Sequence, residues 1–362
     1  MMIKKNTKKY NILILGPDRR RGGGIATVIQ HLFCDELKKK FRLYYIPTQV
    51  NGNRWIKFLQ VFKAMFLFWK FNLTRQIDLI HIHSASGTSY FCKSLFMISA
   101  KLIHKKVILH IHGGAFYDFY NKCPAAAQWY LRKTMNLADV VITLSDEWSK
   151  KFGTIIDPFK LKVIPNPVQV PDELMPKPTN GRRKKILFMG NIVEKKGVYD
   201  LVTVAERLTN RIKNIKFILV GSGDIEPLRA LIESKGLSEY FELPGWTRDK
   251  EPYYKEADIF VLPSYVEALP MVILEAASYG LPIIATTVGA IPEIIESEKS
   301  GFLLEPGYVD GFTEKLEMLL QDDQMRRKIG QSARQQILSQ CAKGKIMSQL
   351  EHLYYSLISR PL

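Results

Sequence analysis

Strand-like and helix-like segments alternate along this chain of 362 residues, and the alternation starts afresh near its middle. The first series includes the apolar runs NILILG, FRLYYIPT, DLIHIHS, KVILHIHG and DVVITLS, with helical stretches between them. The second series begins with KKILFMGNI and continues through KFILVGSGD, FELPGW, DIFVLPS and PIIATTV. Strands that alternate with helices form a mainly parallel sheet with helices on both faces. The sequence therefore predicts an α/β protein with two doubly wound, Rossmann-like domains.

The proline-rich segment PDELMPKPTNGRRKK separates the two series. We predict an N-terminal domain over residues 1–175 and a C-terminal domain over residues 183–345. Ligands of such sheets bind beyond the carboxyl ends of the strands. We therefore expect the two domains to face each other across a ligand-binding cleft.

The positive charge of the chain is concentrated in its first half. Residues 1–170 contain 27 Lys and Arg against 9 Asp and Glu, a net charge of +18, whereas residues 171–362 contain 25 against 26, a net charge of −1. A positive field of this kind attracts nucleic acid, anionic lipid or phosphorylated substrates. The alternative is a basic surface that only keeps the protein soluble.

The cysteines and the N-terminus indicate a cytoplasmic protein. The four cysteines are scattered without C-x-x-C or Cys/His ligand spacing, which predicts reduced thiols and no structural metal. The apolar run Ile12–Leu15 is far shorter than the ~7–15 residues of a signal-peptide core.

Two glutamates, Glu267 and Glu275, stand seven residues apart in the run LPSYVEALPMVILEAASYGLPI. Pro270 is suited to the start of a helix, and Gly280 and Pro282 to its end. Glu267 then lies on the loop before the helix and Glu275 inside it, while the backbone of Ala268, Leu269 and Pro270 lies where a phosphate can bind. The alternative is two acidic residues that only favour a helix start or face solvent.

This segment resembles the E-x7-E signature of family 4 retaining nucleotide-sugar glycosyltransferases, and TTVGAIPEII follows it as in that family. The resemblance implies the two-domain GT-B fold, in which a C-terminal helix, here residues 346–362, returns to the first domain. It also implies that Glu275 accepts hydrogen bonds from the ribose and that Glu267 contacts the donor sugar.

Further motifs carry the resemblance in family order. Gly23 and Gly24 of GPDRRRGGG match the glycine loop near the donor phosphates, although a flexible turn is the alternative. His112 of LHIHGGAF resembles the histidine that contacts the sugar. His110 is expected to be structural, and His83 is a better site candidate than His81. Asn166 resembles a cleft asparagine, with a turn-forming role as the alternative.

The stretch FMGNIVEKKGVYDL resembles the strand–loop–helix that binds the diphosphate, and Lys196 matches the family lysine. Asn191 stands where the family usually has arginine, so that charge must be weaker or supplied elsewhere; Arg182, Arg183 and Lys195 are nearby in sequence. Gly221 and Gly223 match the glycine turn under the nucleotide. No Asp-x-Asp motif is evident, and the resemblance implies no metal and no cofactor beyond the donor.

The stretch from Arg54 to Leu73, RWIKFLQVFKAMFLFWKFNL, admits two interpretations. At 100° per residue, its basic residues and Gln60 fall on one side and apolar residues cover the rest. Its lysines argue against a spanning helix, which needs ~20 nearly uncharged residues. It is either a helix at the membrane interface, with lysines toward the headgroups, or a helix of the core.

Together these features predict a retaining glycosyltransferase that moves a sugar from a nucleoside diphosphate, such as a UDP- or GDP-sugar, to an acceptor hydroxyl. The basic first half suits a lipid-diphosphate saccharide acceptor at an anionic membrane, in capsule, exopolysaccharide or O-antigen synthesis. The alternatives are a nucleotide-sugar epimerase of the same fold and a nucleic-acid-binding protein. The last is disfavoured because the aromatic residues are concentrated in one helical stretch instead of on a sheet.

Overall fold

Two six-stranded parallel sheets organise the protein. A computed structural model describes residues 9–20, 22–50, 52–174 and 182–359. Residues 175–181 of the predicted linker lie outside that description. The chain divides into an N-terminal unit, Met1–Pro167 with Gly344–Leu362, and a C-terminal unit, Val168–Lys343. The prediction of two doubly wound domains is confirmed.

The N-terminal unit contains six strands in the order β2-β1-β3-β4-β5-β6. Its strands are β1 (Tyr10–Pro17), β2 (Phe41–Gln49), β3 (Leu79–Ser84), β4 (Lys106–Ile111), β5 (Val140–Thr143) and β6 (Leu161–Val163). Its helices are α1 (Gly24–Leu32), α2 (Asp35–Lys40), α3 (Arg54–Arg75), α4 (Thr88–Leu102), α5 (Phe116–Lys122), α6 (Ala125–Met135) and α7 (Asp146–Phe152).

The C-terminal unit contains six strands in the order β12-β11-β10-β7-β8-β9. Its strands are β7 (Lys184–Met189), β8 (Ile215–Val220), β9 (Phe241–Gly245), β10 (Ile259–Leu262), β11 (Ile283–Thr286) and β12 (Gly301–Leu304). Its helices are α8 (Val198–Thr209), α9 (Ile225–Ser234), α10 (Glu251–Glu256), α11 (Met271–Ser278), α12 (Ile291–Ile294), α13 (Val309–Gln321) and α14 (Asp323–Gln340).

The last helix, α15 (Lys343–Ile358), packs on the N-terminal sheet as predicted. Ile346, Leu350 and Tyr354 join the core formed by β1, β3, β4 and α1. Tyr354 also bonds to the buried ring of His81, with 2.7 Å between its Oη and Nδ1. The C-terminal end of the chain is therefore part of the first unit's core.

Local sequence rules account for most elements, and the differences have local causes. The stretch GGGIATVIQHLFCDELKKK after the first strand is helix-like throughout, but it forms two helices, α1 and α2, because the chain leaves the helical path at Phe33 and Cys34. The short elements α5, α7 and β12 were not predicted. With 4–7 residues each, they span too little sequence to show a clear period.

Helix α3 is neither a core helix nor a spanning helix. Ala64 and Phe68 are buried, and Gln60 donates from its side chain to the Pro47 carbonyl, so this side faces the body of the unit. The large apolar residues on the opposite side are exposed. Within the described residues, no helix combines the length and apolar character that crossing a bilayer requires.

Candidate active site

Glu267 lies on the connection between β10 and α11 and is held by two side chains. Its Oε1 accepts a hydrogen bond from Ser264 Oγ at 2.9 Å and one from Lys196 Nζ at 2.5 Å. The side chain of Glu267 is 10% exposed and that of Lys196 is 23% exposed. Because both charges are largely removed from water, their hydrogen bond is a charge-assisted one between partly desolvated groups.

Lys196 reaches Glu267 because two loops are packed together at the carboxyl edge of the sheet. A short 3-10 helix, Glu194–Lys196, follows β7 and ends at Gly197, whose φ of 67° is left-handed. A Cβ at Gly197 would lie 2.2 Å from the Pro263 carbonyl oxygen, so only glycine fits there. The amide of Tyr265 donates to the Lys195 carbonyl at 2.9 Å.

These two loops mark the switch point of the sheet. The chain proceeds outward from β7 through β8 to β9 on one side, and from β10 through β11 to β12 on the other. Helices after β7 and β10 therefore cover opposite faces, and doubly wound sheets bind ligands at this position. Lys196 and Glu267 are the residues that meet there.

Glu275, inside α11, is bound by two residues that sequence reasoning missed. Tyr254 Oη donates to its Oε2 at 2.7 Å, and Lys250 Nζ lies 3.1 and 2.9 Å from its two oxygens. Burial and the neighbouring carboxylate raise the pKa of Tyr254 well above its usual value, so the phenol stays a donor. Lys250 directly precedes α10 and Tyr254 lies within it, and no motif in the sequence relates them to α11.

The backbone around Ala268, Leu269 and Pro270 is fixed by the turn after β11. The amide of Ala290 donates to the Ala268 carbonyl at 2.7 Å. Leu269 is buried, and Pro270 is the residue before the first turn of α11, as predicted. The TTVGAIPE stretch thus supports the loop that carries Glu267.

Gly221 and Gly223 of the predicted glycine turn must be glycine because backbone atoms of the loop after β7 lie too close for a side chain. At Gly221 a Cβ would lie 1.7 Å from the Gly190 carbonyl oxygen, and at Gly223 it would lie 2.2 Å from that of Ile192. These glycines let the ends of β7 and β8 approach each other. Asn191, in the neighbouring loop after β7, is exposed.

Arg182 and Arg183, two of the cations near the missing arginine in sequence, lie at the edge of the sheet opposite to Lys196. Arg182 binds Asp258 through two hydrogen bonds, at 2.9 and 2.7 Å, just before β7 and β10 begin. Arg183 donates to the Glu239 carbonyl at 3.1 Å. Both lie at the amino edge of the sheet, because they precede parallel strands. Lys195 lies at the carboxyl edge and is exposed.

In the N-terminal unit, Gly23 ends the loop after β1, and Gly24 is the first residue of α1. Gly23 is the residue before the first turn of α1 and has a φ of 124°. A Cβ there would meet no atom within 4 Å, and both glycines are exposed. The space beside this helix start is therefore open on the N-terminal unit.

Four histidines form a buried patch on neighbouring strands, His81 and His83 on β3, and His110 and His112 on or just after β4. His83 Nδ1 lies 2.9 Å from His112 Nε2, and Asn166 is hydrogen-bonded to His112. Burial lowers the pKa of His81 and His112 to about 3 and that of His83 and His110 well below its usual value. All four rings are neutral at physiological pH.

The ligand nitrogens of His81, His83 and His110 lie within 4.8 Å of one another, a separation that raises the question of a metal. The rings of His81 and His110 are stacked with an interplanar angle of 2°. Two of the three rings have a polar partner within the chain, since His81 Nδ1 lies 2.7 Å from Tyr354 Oη and His83 Nδ1 lies 2.9 Å from His112 Nε2.

Lys93, on α4, is a further buried group that the sequence did not reveal. Its side chain is 1% exposed, and its ammonium donates to Ser89 Oγ at 2.8 Å. Among the described residues, no carboxylate forms a salt bridge with it. Burial lowers the pKa of Lys93 to about 8.

Two family models match the chain in the order of its units. "Glycosyltransferase Family 4" matches residues 24–170, and "Glycosyl transferases group 1" matches residues 171–336. The chain is a family 4 glycosyltransferase. Membership of this family favours sugar transfer over epimerisation and over nucleic-acid binding, the two alternatives that the sequence left open.

Similar proteins agree with the family. A UDP-Gal:alpha-D-GlcNAc-diphosphoundecaprenol alpha-1,3-galactosyltransferase of Escherichia coli is 26% identical over 90% of this chain and 86% of its own length. A 2-deoxystreptamine N-acetyl-D-glucosaminyltransferase of Niallia circulans is 25% identical over 77% of this chain and 76% of its own length.

Solved structures show the fold. Sucrose-phosphate synthase from Thermosynechococcus elongatus has a TM-score of 0.80 and 18% identity, covering 97% of this glycosyltransferase and 100% of its own chain. The Anabaena protein HepE in complex with UDP-glucose has a TM-score of 0.74 and 19% identity over 96% of this chain and 100% of its own. The GT-B fold predicted from the sequence is confirmed.

Proposed function

We propose that this glycosyltransferase moves a sugar from a nucleoside-diphosphate sugar to an acceptor hydroxyl with retention of the anomeric configuration. The observation that carries the proposal is the hydrogen bond between Lys196 and Glu267 at the switch point of the C-terminal sheet. A cation and a carboxylate meet where such sheets bind phosphorylated ligands. A diphosphate leaving group requires the cation, and a sugar hydroxyl is a suitable donor to the carboxylate.

The roles of the site residues follow from their chemistry. Lys196, with the amides at the start of α11, stabilises the charge that develops on the diphosphate. Glu267 binds the sugar, and Glu275 accepts from the ribose hydroxyls while Tyr254 and Lys250 hold it in place. The acceptor oxygen attacks the anomeric carbon from the side of the leaving group, whose phosphate oxygen takes the acceptor's proton.

We propose UDP- or GDP-sugars as donors and a lipid-diphosphate saccharide as acceptor, in the synthesis of a bacterial surface polysaccharide. The galactosyltransferase of Escherichia coli named above acts on a diphosphoundecaprenol-linked sugar, and a capsular polysaccharide glycosyltransferase of Staphylococcus aureus is 28% identical over 46% of the chain. The HepE structure contains UDP-glucose. The basic first half of this chain suits a phosphorylated acceptor at an anionic membrane.

We further propose that catalysis needs no metal. Lys196 supplies a positive charge at the diphosphate without one. Dialysis against EDTA, followed by assay with and without added Mg²⁺, Mn²⁺ or Zn²⁺, tests this. Equal turnover in all samples supports the proposal, and activity that returns only with one ion contradicts it.

The experiment that tests the reaction begins with UDP-, GDP- and ADP-sugars in a thermal-shift screen, because a donor that binds the native state raises its melting temperature. The stabilising donor is then incubated with lipid-diphosphate saccharides, and the anomeric configuration of the product is read by NMR. Transfer with retention supports the proposal. Inversion, or a changed sugar nucleotide without acceptor, contradicts it.

A further inference from the structure

Helix α3 exposes a continuous apolar stripe. Its members are spaced alternately by three and four residues and lie on one side of the helix: Trp55, Leu59, Phe62, Phe66, Trp69 and Leu73, with Phe58 beside them. Phe66 is 69% exposed and Leu73 is 79% exposed. The opposite side, with Ala64 and Phe68, is buried against the unit. An exposed apolar surface of this kind indicates contact with a membrane or with another molecule.

The neighbouring helices extend this stripe into a surface. Helix α4 packs beside α3, where Phe68 and Phe96 are in contact and Ser99 Oγ donates to Met65 Sδ at 3.8 Å. Outward-facing Phe91, Leu95 and Leu102 are exposed on α4. Helix α6 packs on α4 and exposes Trp129. We call these exposed side chains of α3, α4 and α6 the aromatic face.

The helices that carry the aromatic face are basic. Helices α3, α4 and α6 contain nine Lys and Arg and no Asp or Glu, although Lys93 is buried and Lys101 pairs with Asp139. The segment between α3 and α4 has one acidic residue, Asp78. The backbone amide of Asn11 donates a hydrogen bond to the Asp78 carboxylate at 2.7 Å. On α3, Lys63 and Lys70 lie about 80–100° around the helix from Phe62. That position flanks the apolar stripe, where a lysine side chain can extend to lipid phosphates while aromatic rings enter the acyl boundary.

We infer that the aromatic face binds the surface of an anionic lipid bilayer, with α3 lying in the interface plane. Charge favours a lipid surface over a protein partner, since the helices of the aromatic face carry lysine and arginine but no carboxylate for a mixed protein interface. A second copy of this chain would bring equal positive charges together. The inference rests on the proposed function, because binding to the membrane gives the enzyme access to a lipid-linked acceptor. Binding to vesicles can nevertheless be measured without turnover.

The test is sedimentation of the full-length protein with vesicles of phosphatidylcholine alone or with about 30% phosphatidylglycerol, whose anionic headgroups attract basic residues near the surface. We expect binding to anionic vesicles that weakens at high salt. The double variant Lys63→Glu/Lys70→Glu should bind about 30-fold or more weakly, since each basic residue near the surface contributes about fivefold. Phe62→Ser/Phe66→Ser should lose binding as well.

The matched control is Phe159→Ser, which removes an exposed aromatic residue, 96% exposed, from outside the aromatic face of the same unit. It should bind as tightly as the wild type. All variants should keep the donor-induced thermal shift, which separates failed docking from a damaged donor site or fold.

Three outcomes would overturn the inference. The wild type could remain in the supernatant with anionic vesicles, or bind neutral vesicles equally well. Sedimentation velocity could instead show self-association that Phe62→Ser/Phe66→Ser abolishes, without vesicle binding, and the face would then be an interface between copies.

Discussion

The ammonium of Lys196 and the carboxylate of Glu267 share a 2.5 Å hydrogen bond although they are 71 positions apart. The two residues come from the loops on either side of the switch point, and Ser264 donates to the same carboxylate oxygen. A diphosphate that binds beside Lys196 must share that ammonium with Glu267. The pair thus links leaving-group binding to the residue proposed to contact the sugar.

The shared hydrogen bond predicts that variants of Lys196 and of Glu267 differ in UDP binding. Lys196→Ala should weaken UDP binding and lower kcat/KM by about 10²–10³-fold, because the leaving diphosphate loses its nearest cation. Glu267→Gln should lower transfer by a similar factor but bind UDP at least as tightly, because Lys196 is no longer neutralised. Calorimetric titration with UDP and steady-state kinetics measure both. Equal loss of UDP binding in the two variants would contradict the division of roles.

Tyr254→Phe should destabilise the protein by about 1–2 kcal/mol, because a hydrogen bond to the largely buried Glu275 carboxylate is lost. We also expect a higher KM for the donor with a smaller change in kcat, since Glu275 is proposed to bind the ribose. Urea unfolding and initial rates give the two readouts. Tyr279→Phe is the control, because its ring stacks on Tyr254 at 5.4 Å and its hydroxyl does not bond to Glu275. A control variant that behaves like Tyr254→Phe would refute the prediction.

The four buried histidines predict acid sensitivity. Their pKa values are lower in the folded protein than in the unfolded chain, so the unfolded chain binds more protons once the pH falls below about 6.5. Their contribution is fully present above that pH and is lost as the pH falls toward about 3. Four groups give a slope that approaches about 5 kcal/mol for each pH unit near pH 5 and is shallower near pH 7, which urea unfolding between pH 7 and pH 5 would measure.

The contribution of one histidine to this pH dependence of stability can be measured separately. Neither ring nitrogen of His110 has a hydrogen-bond partner among the described residues. His110→Leu should therefore fold and reduce the slope near pH 5 by about 1.4 kcal/mol per pH unit. His352→Gln, at an exposed position on α15, should leave the slope unchanged. A slope that His110→Leu does not alter would show that other groups cause the acid sensitivity.

Lys93→Met should stabilise the protein. The pKa of Lys93 is lowered to about 8 by burial, so the folded protein disfavours the ammonium and its stability increases as the pH rises from about 8 toward the unfolded value. Methionine keeps the side-chain length without the charge, and the expected gain at pH 7 is about 2 kcal/mol after loss of the bond to Ser89.

The contrasting variant is on the same helix. Lys101 forms a salt bridge with Asp139, so Lys101→Met should be neutral or destabilising. Chemical unfolding at pH 7 compares the two. Destabilisation by Lys93→Met would show that its ammonium has a partner that outweighs the cost of burial.

Much of the fold could be predicted from local patterns. The strands beside the switch point and helix α11 were predicted close to their observed bounds, because apolar runs, Pro270 and Gly280 specify them locally. The motif residues Lys196 and Glu267 were found by resemblance, but their mutual contact was not predicted. Lys250 and Tyr254 were missed altogether, because their relation to Glu275 exists only after α10 packs beside α11.

The sequence by itself determined the two doubly wound sheets and the positions of the motif residues, since these depend on local periodicity and short patterns. The return of α15 was implied only by the resemblance to the family. Tertiary structure decided which charges pair. It placed Arg182 at the amino edge beside Asp258 and Lys196 at the carboxyl edge beside Glu267. It also decided which side of α3 is buried, because a helical period gives the two sides and only packing against the sheet selects between them.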